Sequence, residues 1–163
     1  MKPWNERSPE LAALFNPVFC GIVIYVGISH YQKQDKRGMP LPLVFLLLPV
    51  LLSSGIRSSL PQTTRTAFHV WLEREPQVKI SLAKRAANLS TITREALVFL
   101  LQRKRLSLNG DRVQKGKMIK GLNSYVSETS ELADLLEGAR ILGTMFGKTG
   151  DPETVFNSFG LTV

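Results

Sequence analysis

The amino-acid sequence predicts a mainly α protein: a helical N-terminal region packed on a winged helix-turn-helix with one β-hairpin, then a C-terminal helix and a short tail. Three observations carry this expectation. Helix-start signatures precede apolar stretches at Asn16-Pro17 and Asp151-Pro152-Glu153. Between residues 62 and 117 the order is helix, short helix, turn, longer helix, then an Asn109-Gly110 hairpin signal. After residue 127, Leu132, Leu135, Leu136, Ala139, Leu142 and Met145 form one helical stripe. The 163 residues divide into an apolar region 1–60, a winged helix-turn-helix 61–120 and a C-terminal helix with tail 121–163, read as one compact unit.

Each element has a local reason. Ser8-Pro9-Glu10 opens a short helix, with Ser as N-cap and Pro in the first turn. Asn16-Pro17 starts a second, predicted to reach about Gln34. Its β-branched residues (Val18, Ile22, Val23, Ile24, Val26) keep a strand open as the alternative. DKRGMP reads as a connector. The apolar run 41–52 holds Pro42 and Pro49, which argue against a central strand and for a short, kinked helix. LPQTTRTAFHVWLEREP gives a helix that Pro76 stops, and VKISLAKRAANL gives the next. A turn is placed at Ser90-Thr91, and ITREALVFLLQRKR forms the longer helix that follows.

Composition bounds the function. The apolar content of 44% excludes a wholly disordered chain. Cys20 is the single cysteine, so there is no disulfide framework, which fits a reducing compartment. The polar start MKPWNERSPEL does not read as a secretory signal. The apolar runs 17–28 and 41–52 have twelve residues each, against roughly 20 for a spanning helix. The charged HYQKQDKRGMP separates them, so both are expected in a buried core and the protein in the cytoplasm. Charge is unevenly spread: +3 over residues 1–60, +9 over 61–120 and −4 over 121–163. A basic middle of this kind suits an anionic partner, either nucleic acid or an acidic protein surface.

Catalysis finds little support, and no enzyme activity is expected. His30 and His69 are the only histidines. His69 and Glu73 stand four apart, but two ligands without HxxxH or CxxC make a weak metal site. Cys20 reads as a buried, inert thiol. The segment 143–149, GTMFGKT, has three residues between its glycines where a phosphate-binding loop has four, and it closes a helix. It reads as a Gly-terminated helix end with Lys148 in the last turn. No cofactor, metal or small-molecule substrate is expected.

Basic residues are the remaining functional signal. On the winged-helix reading, Lys79, Lys84 and Arg85 surround the first helix of the turn, and Thr91, Thr93 and Arg94 open the second. Arg103, Lys104, Arg105, Arg112, Lys115 and Lys117 gather at its end and on the wing. These are candidate phosphate contacts. The run ALVFLL at 96–101 is apolar around most of the helix, which argues against sequence-specific reading and leaves a plain solvated face as the alternative. Phe156, Phe159, Leu161 and Val163 are expected either to meet a partner or to seal the core.

The chain resembles the middle components of bacterial three-component ABC systems, the group that includes Lamassu-type defence. NERSPELAALFNPVFCGIVI, GMPLPLVFLLLPVLL, RTAFHVWLEREP with TREALVFLLQ, and LGTMFGKTGDPETVFNSFGL carry the resemblance over almost the whole chain. It implies a non-enzymatic adaptor in anti-phage or anti-plasmid defence, joining an SMC/Rad50-like ATPase that senses DNA to an effector, often a nuclease. The alternative from another class is a stand-alone winged-helix DNA-binding regulator.

Overall fold

The computed structural model describes residues 15–122 and 130–162. The helix expected from Ser8 and the start of the C-terminal helix at Ser127 lie outside the described residues.

Helix α1 (Pro17–Gln34) begins where the cap signal put it: the Asn16 side chain accepts from the Val18 amide at 2.8 Å, and Pro17 needs no donor there. The open choice between helix and strand is settled for helix. After Gly38 the chain makes a two-residue strand β1 (Met39–Pro40), then helix α2 (Leu41–Leu51), with Pro42 in its first turn and Pro49 near its end. Pro49 removes one backbone donor and sets its ring against the carbonyl of Phe45. Short helix α3 (Ser54–Ser59) follows, then α4 (Phe68–Arg74).

Helix α5 (Gln77–Gln102) departs from expectation. It runs for 26 residues, about 39 Å, with no turn at Ser90-Thr91. The reason is local. No Gly or Pro interrupts the segment, and the hydroxyls fold back onto their own helix: Ser90 Oγ donates to the Ala87 carbonyl and Thr93 Oγ1 to that of Leu89. The helix-turn-helix of the sequence reading is one rod.

The hairpin is present. Strands β2 (Leu106–Asn109) and β3 (Arg112–Lys115) pair antiparallel, with Asn109 opposite Arg112. The loop is therefore Gly110-Asp111, one residue later than centred on Asn109-Gly110. Gly110 takes φ +63° at the first loop position and Asp111 has no positive φ, the pattern of a type II′ turn. The segment DKRGMP does more than connect. Met39 pairs with Val113 and Pro40 with Arg112, giving the order β1-β3-β2. Pro40 fits because β1 is an edge strand. Gly38, at φ +97°, has no room for a side chain: a Cβ would lie 2.6 Å from the Val113 carbonyl oxygen.

Helices α6 (Ser130–Thr149) and α7 (Pro152–Ser158) complete the chain. Asp151 caps α7, accepting from the Thr154 amide and hydroxyl at 3.0 and 2.7 Å. One core joins all layers. Helix α2 lies at its centre, packed on α1, α5 and α6, with Leu43, Leu46, Leu47, Leu48 and Leu51 at most 1% exposed. Each such leucine contributes about 1.5–3 kcal/mol of burial. The acidic C-terminal helix thus closes over the apolar front of the chain, by way of Leu135, Leu142, Met145 and Phe146.

The α1–α6 pair is the most extensive helix contact in the fold. Its crossing is set by glycine. A Cβ at Gly143 would run into the carbonyl of Gly27, and one at Gly147 would lie 2.7 Å from the Gln34 Cβ. The GTMFG run is a backbone-to-backbone contact of two helices. Phe156 and Phe159 take the internal destination: they are 8% and 1% exposed, and the Phe159 ring sits 5.1 Å from Phe68, edge on. Leu161 packs part-buried against the same core, and Val163 lies outside the described residues.

Candidate nucleic-acid interface

The buried stripe of α5 (Val78, Leu82, Thr93, Ala96, Leu100) faces the core, so the opposite side must face outward. That outward stripe is Ile80, Ala83, Ala87, Thr91, Arg94 and Val98, with Ile80 84% and Val98 47% exposed. Lys79, Lys84 and Arg85 are exposed beside it. Near its C-terminal half, a groove of about 420 Å³ lies between Pro17 of α1 and Arg94, Val98 and Phe99 of α5. Arg103 stacks over the Phe99 ring at 3.9 Å, a cation–π contact that fixes the guanidinium along the helix end.

Helix α5 closes with Lys104 in the left-handed region, φ +54°. The Lys104 amide donates to Leu101 and the Arg105 amide to Leu100, the paired bonds of a Schellman end where glycine is usual. Holding lysine there stores strain, a feature that collects at functional positions. Lys104→Gly is expected to raise unfolding free energy by about 0.5–1 kcal/mol while weakening any anion contact. Denaturant titration and DNA binding of one preparation check both signs.

The other candidate residues separate by environment. Thr93 is fully buried with its hydroxyl committed to Leu89, so it is not a phosphate contact; that expectation fell with the missing turn. Arg105 is part-buried and donates to the Met118 carbonyl at 2.6 Å. Arg112 is internal too: its Nη1 donates to Asp35 Oδ2 at 3.1 Å and to the Gly38 carbonyl at 2.8 Å. Asp35 also accepts from Arg37 through both oxygens, at 3.0 and 2.8 Å, and these hydrogen bonds hold its carboxyl down to about 2. This junction ties the end of α1 to β1 and β3. Lys115 and Lys117 remain exposed on the hairpin side.

A residue group that the sequence reading did not include now joins them. Ser29, Gln32, Lys33 and Lys36, from the end of α1 and just past it, line a cleft of about 170 Å³ together with Lys115. Their 29, 33, 36 spacing would have found one face, but only the fold brings Lys115 to it.

The weaker chemical candidates are also placed. His69 and Glu73 are exposed, and among the described residues no three His, Cys, Asp or Glu gather as a metal site. Cys20 is fully buried, and burial, with Glu95 adding, pushes its thiol up to about 12. Lys148 Nζ donates to the Thr64 carbonyl at 2.7 Å, and the helix stops at Gly150. Among the described residues no helix is long and apolar enough to cross a membrane.

The fold is that of a mainly helical protein built round one apolar core, with a small three-stranded sheet. The chain belongs to the ABC-three component (ABC-3C) system Middle Component 3 family, whose model matches residues 4–163. It is therefore a component of an ABC three-component system and works with the other components of that system. No curated protein and no solved structure matches it.

Proposed function

We propose that the protein is a non-enzymatic adaptor in a bacterial defence system against phage or plasmid DNA, of Lamassu type. It joins an SMC/Rad50-like ABC ATPase to an effector, a nuclease in the simplest form, and its basic surface lies against DNA phosphates. The observation that carries this reading is family membership across residues 4–163. The outward face of α5 supports it, because exposed Ile80 and Val98 among Lys79, Lys84, Arg85 and Arg94 suit a docking surface better than a plain solvated helix. A free-standing regulator would need a separate recognition helix, and the continuous α5 offers none.

The test is co-purification from the native operon with a tag on this chain. A stoichiometric complex with an ATPase and one further subunit is expected, and the isolated chain should hydrolyse neither ATP nor DNA. Recovery of the tagged chain alone, monomeric and binding one DNA sequence, would replace the adaptor by a regulator.

A further inference from the structure

Three lysines line the cleft between the end of α1 and strand β3. Side chain to main chain hydrogen bonds shape the cleft: the Lys115 amide donates to Gln32 Oε1 at 2.8 Å, and Gln114 Nε2 donates to the Arg37 carbonyl at 3.0 Å. Strand β3 is thereby pinned along the helix, and Lys115 is carried to the side of Lys33 and Lys36. Lys33 is held in turn, its Nζ lying 3.1 Å from His30 Nε2 while His30 Nδ1 meets the Val26 carbonyl at 3.1 Å. Ser29 lines the cleft but donates its one hydroxyl proton to the Tyr25 carbonyl at 2.7 Å, so the donors toward an anion are the lysines and the Gln32 amide.

Asp35, the acid of this region, is occupied by Arg37 and Arg112 at 2.8 and 3.1 Å. Among the described residues none of Lys33, Lys36 and Lys115 is in an ion pair. Like charges gathered at a concave surface repel one another and raise the local concentration of anions. Ammonium groups act as point charges toward phosphate and impose no planar geometry.

We infer that Lys33, Lys36 and Lys115, with the Gln32 amide beside them, form a phosphate-binding cleft that takes a phosphate group of a nucleic acid or a nucleotide. This narrows the phosphate contact of the proposed function to the α1–β3 junction and moves it off α5.

The experiment uses the full chain with a fluorescein-labelled 20-base-pair duplex across a KCl series, and ATP in a separate titration. Lys33→Gln, Lys36→Gln and Lys115→Gln together should reduce the slope of log affinity against log salt by about 0.9, for the one phosphate the cleft no longer neutralises. Lys79→Gln, Lys84→Gln and Arg85→Gln, an equal loss of charge on α5, should leave it unchanged. Should the cleft triple variant lose its thermal transition, Lys36→Gln alone carries the test, with weaker binding and a smaller drop in the same slope. ATP binding that the cleft variant abolishes, with duplex binding unaffected, assigns the site to a nucleotide and upholds it. Equal effects of the two triples on the duplex, or a larger effect on α5, together with ATP binding that is absent or untouched by the cleft variant, would overturn the cleft while leaving phosphate contact by the chain intact. Failure of the wild-type chain to bind either probe would overturn both.

Discussion

Replacing Gly143 by alanine is expected to lower unfolding free energy by about 3–4 kcal/mol, among the largest effects a single methyl can have here. The added Cβ collides with the carbonyl of Gly27, a backbone atom that no rotamer change can move aside. For a chain of this size the midpoint of thermal unfolding should fall by on the order of 10 °C. Gly55→Ala is the control. Nothing lies within 4 Å of its added Cβ, and it sits exposed in α3, so it should be neutral or stabilise by about 0.5–1 kcal/mol. A Gly143→Ala protein that melts with the wild type would mean that α1 and α6 do not cross at this point.

Phe159→Ala should cost about 3–5 kcal/mol, the range for emptying an aromatic core site. Its ring is 1% exposed and meets Phe68, Trp71 and Phe146 edge on or nearly so, at 5.1, 6.4 and 6.3 Å. Phe159→Leu keeps most of the volume and should cost about 1.5 kcal/mol or less. Denaturant unfolding of the isolated chain reads both. The measurement also separates the two destinations open to this residue in the sequence. A partner-facing phenylalanine would leave the isolated chain as stable as before and weaken only the complex.

Much of the architecture was legible because it rests on local chemistry. Asn16-Pro17 and Asp151-Pro152-Glu153 are cap signals that act within one helical turn, and both helices begin where they say. The leucine stripe of α6 reports its own buried face. What was not legible depends on contacts distant in sequence, or on competition between two acceptable local states. Ser90-Thr91 favours a turn or a helix with bonded hydroxyls about equally; Leu82 and Ile92, buried on either side, extend the helix through. Strand β1 consists of two residues and exists only because β3 lies beside it. The segment 143–149 invites comparison with a nucleotide loop, yet its glycines serve a neighbouring backbone. Only a partner helix could reveal that.

Among the candidate site residues, charge type was readable and availability was not. Arg112 and Lys115 are three apart in one strand, with side chains on opposite faces of the sheet. The first is locked to Asp35 and the second opens on the cleft. Lys33 and Lys36 sit outside the basic middle of the sequence, and their recruitment comes from the fold alone.

The covering of α2 by α6 has a consequence for the order of events during synthesis. Helix α2 ends at Leu51 and its last cover ends at Thr149. At about 5–20 residues per second, the ribosome needs roughly 5–20 s to make the intervening chain. Helices α1 and α5 cover part of the leucine surface as they form, but the side that α6 covers has no native lid throughout that interval, and its closure joins segments far apart in sequence, a slow kind of contact to find. Nascent chains stalled before α6 should therefore bind hydrophobic-surface chaperones, and the window should close once α6 has emerged.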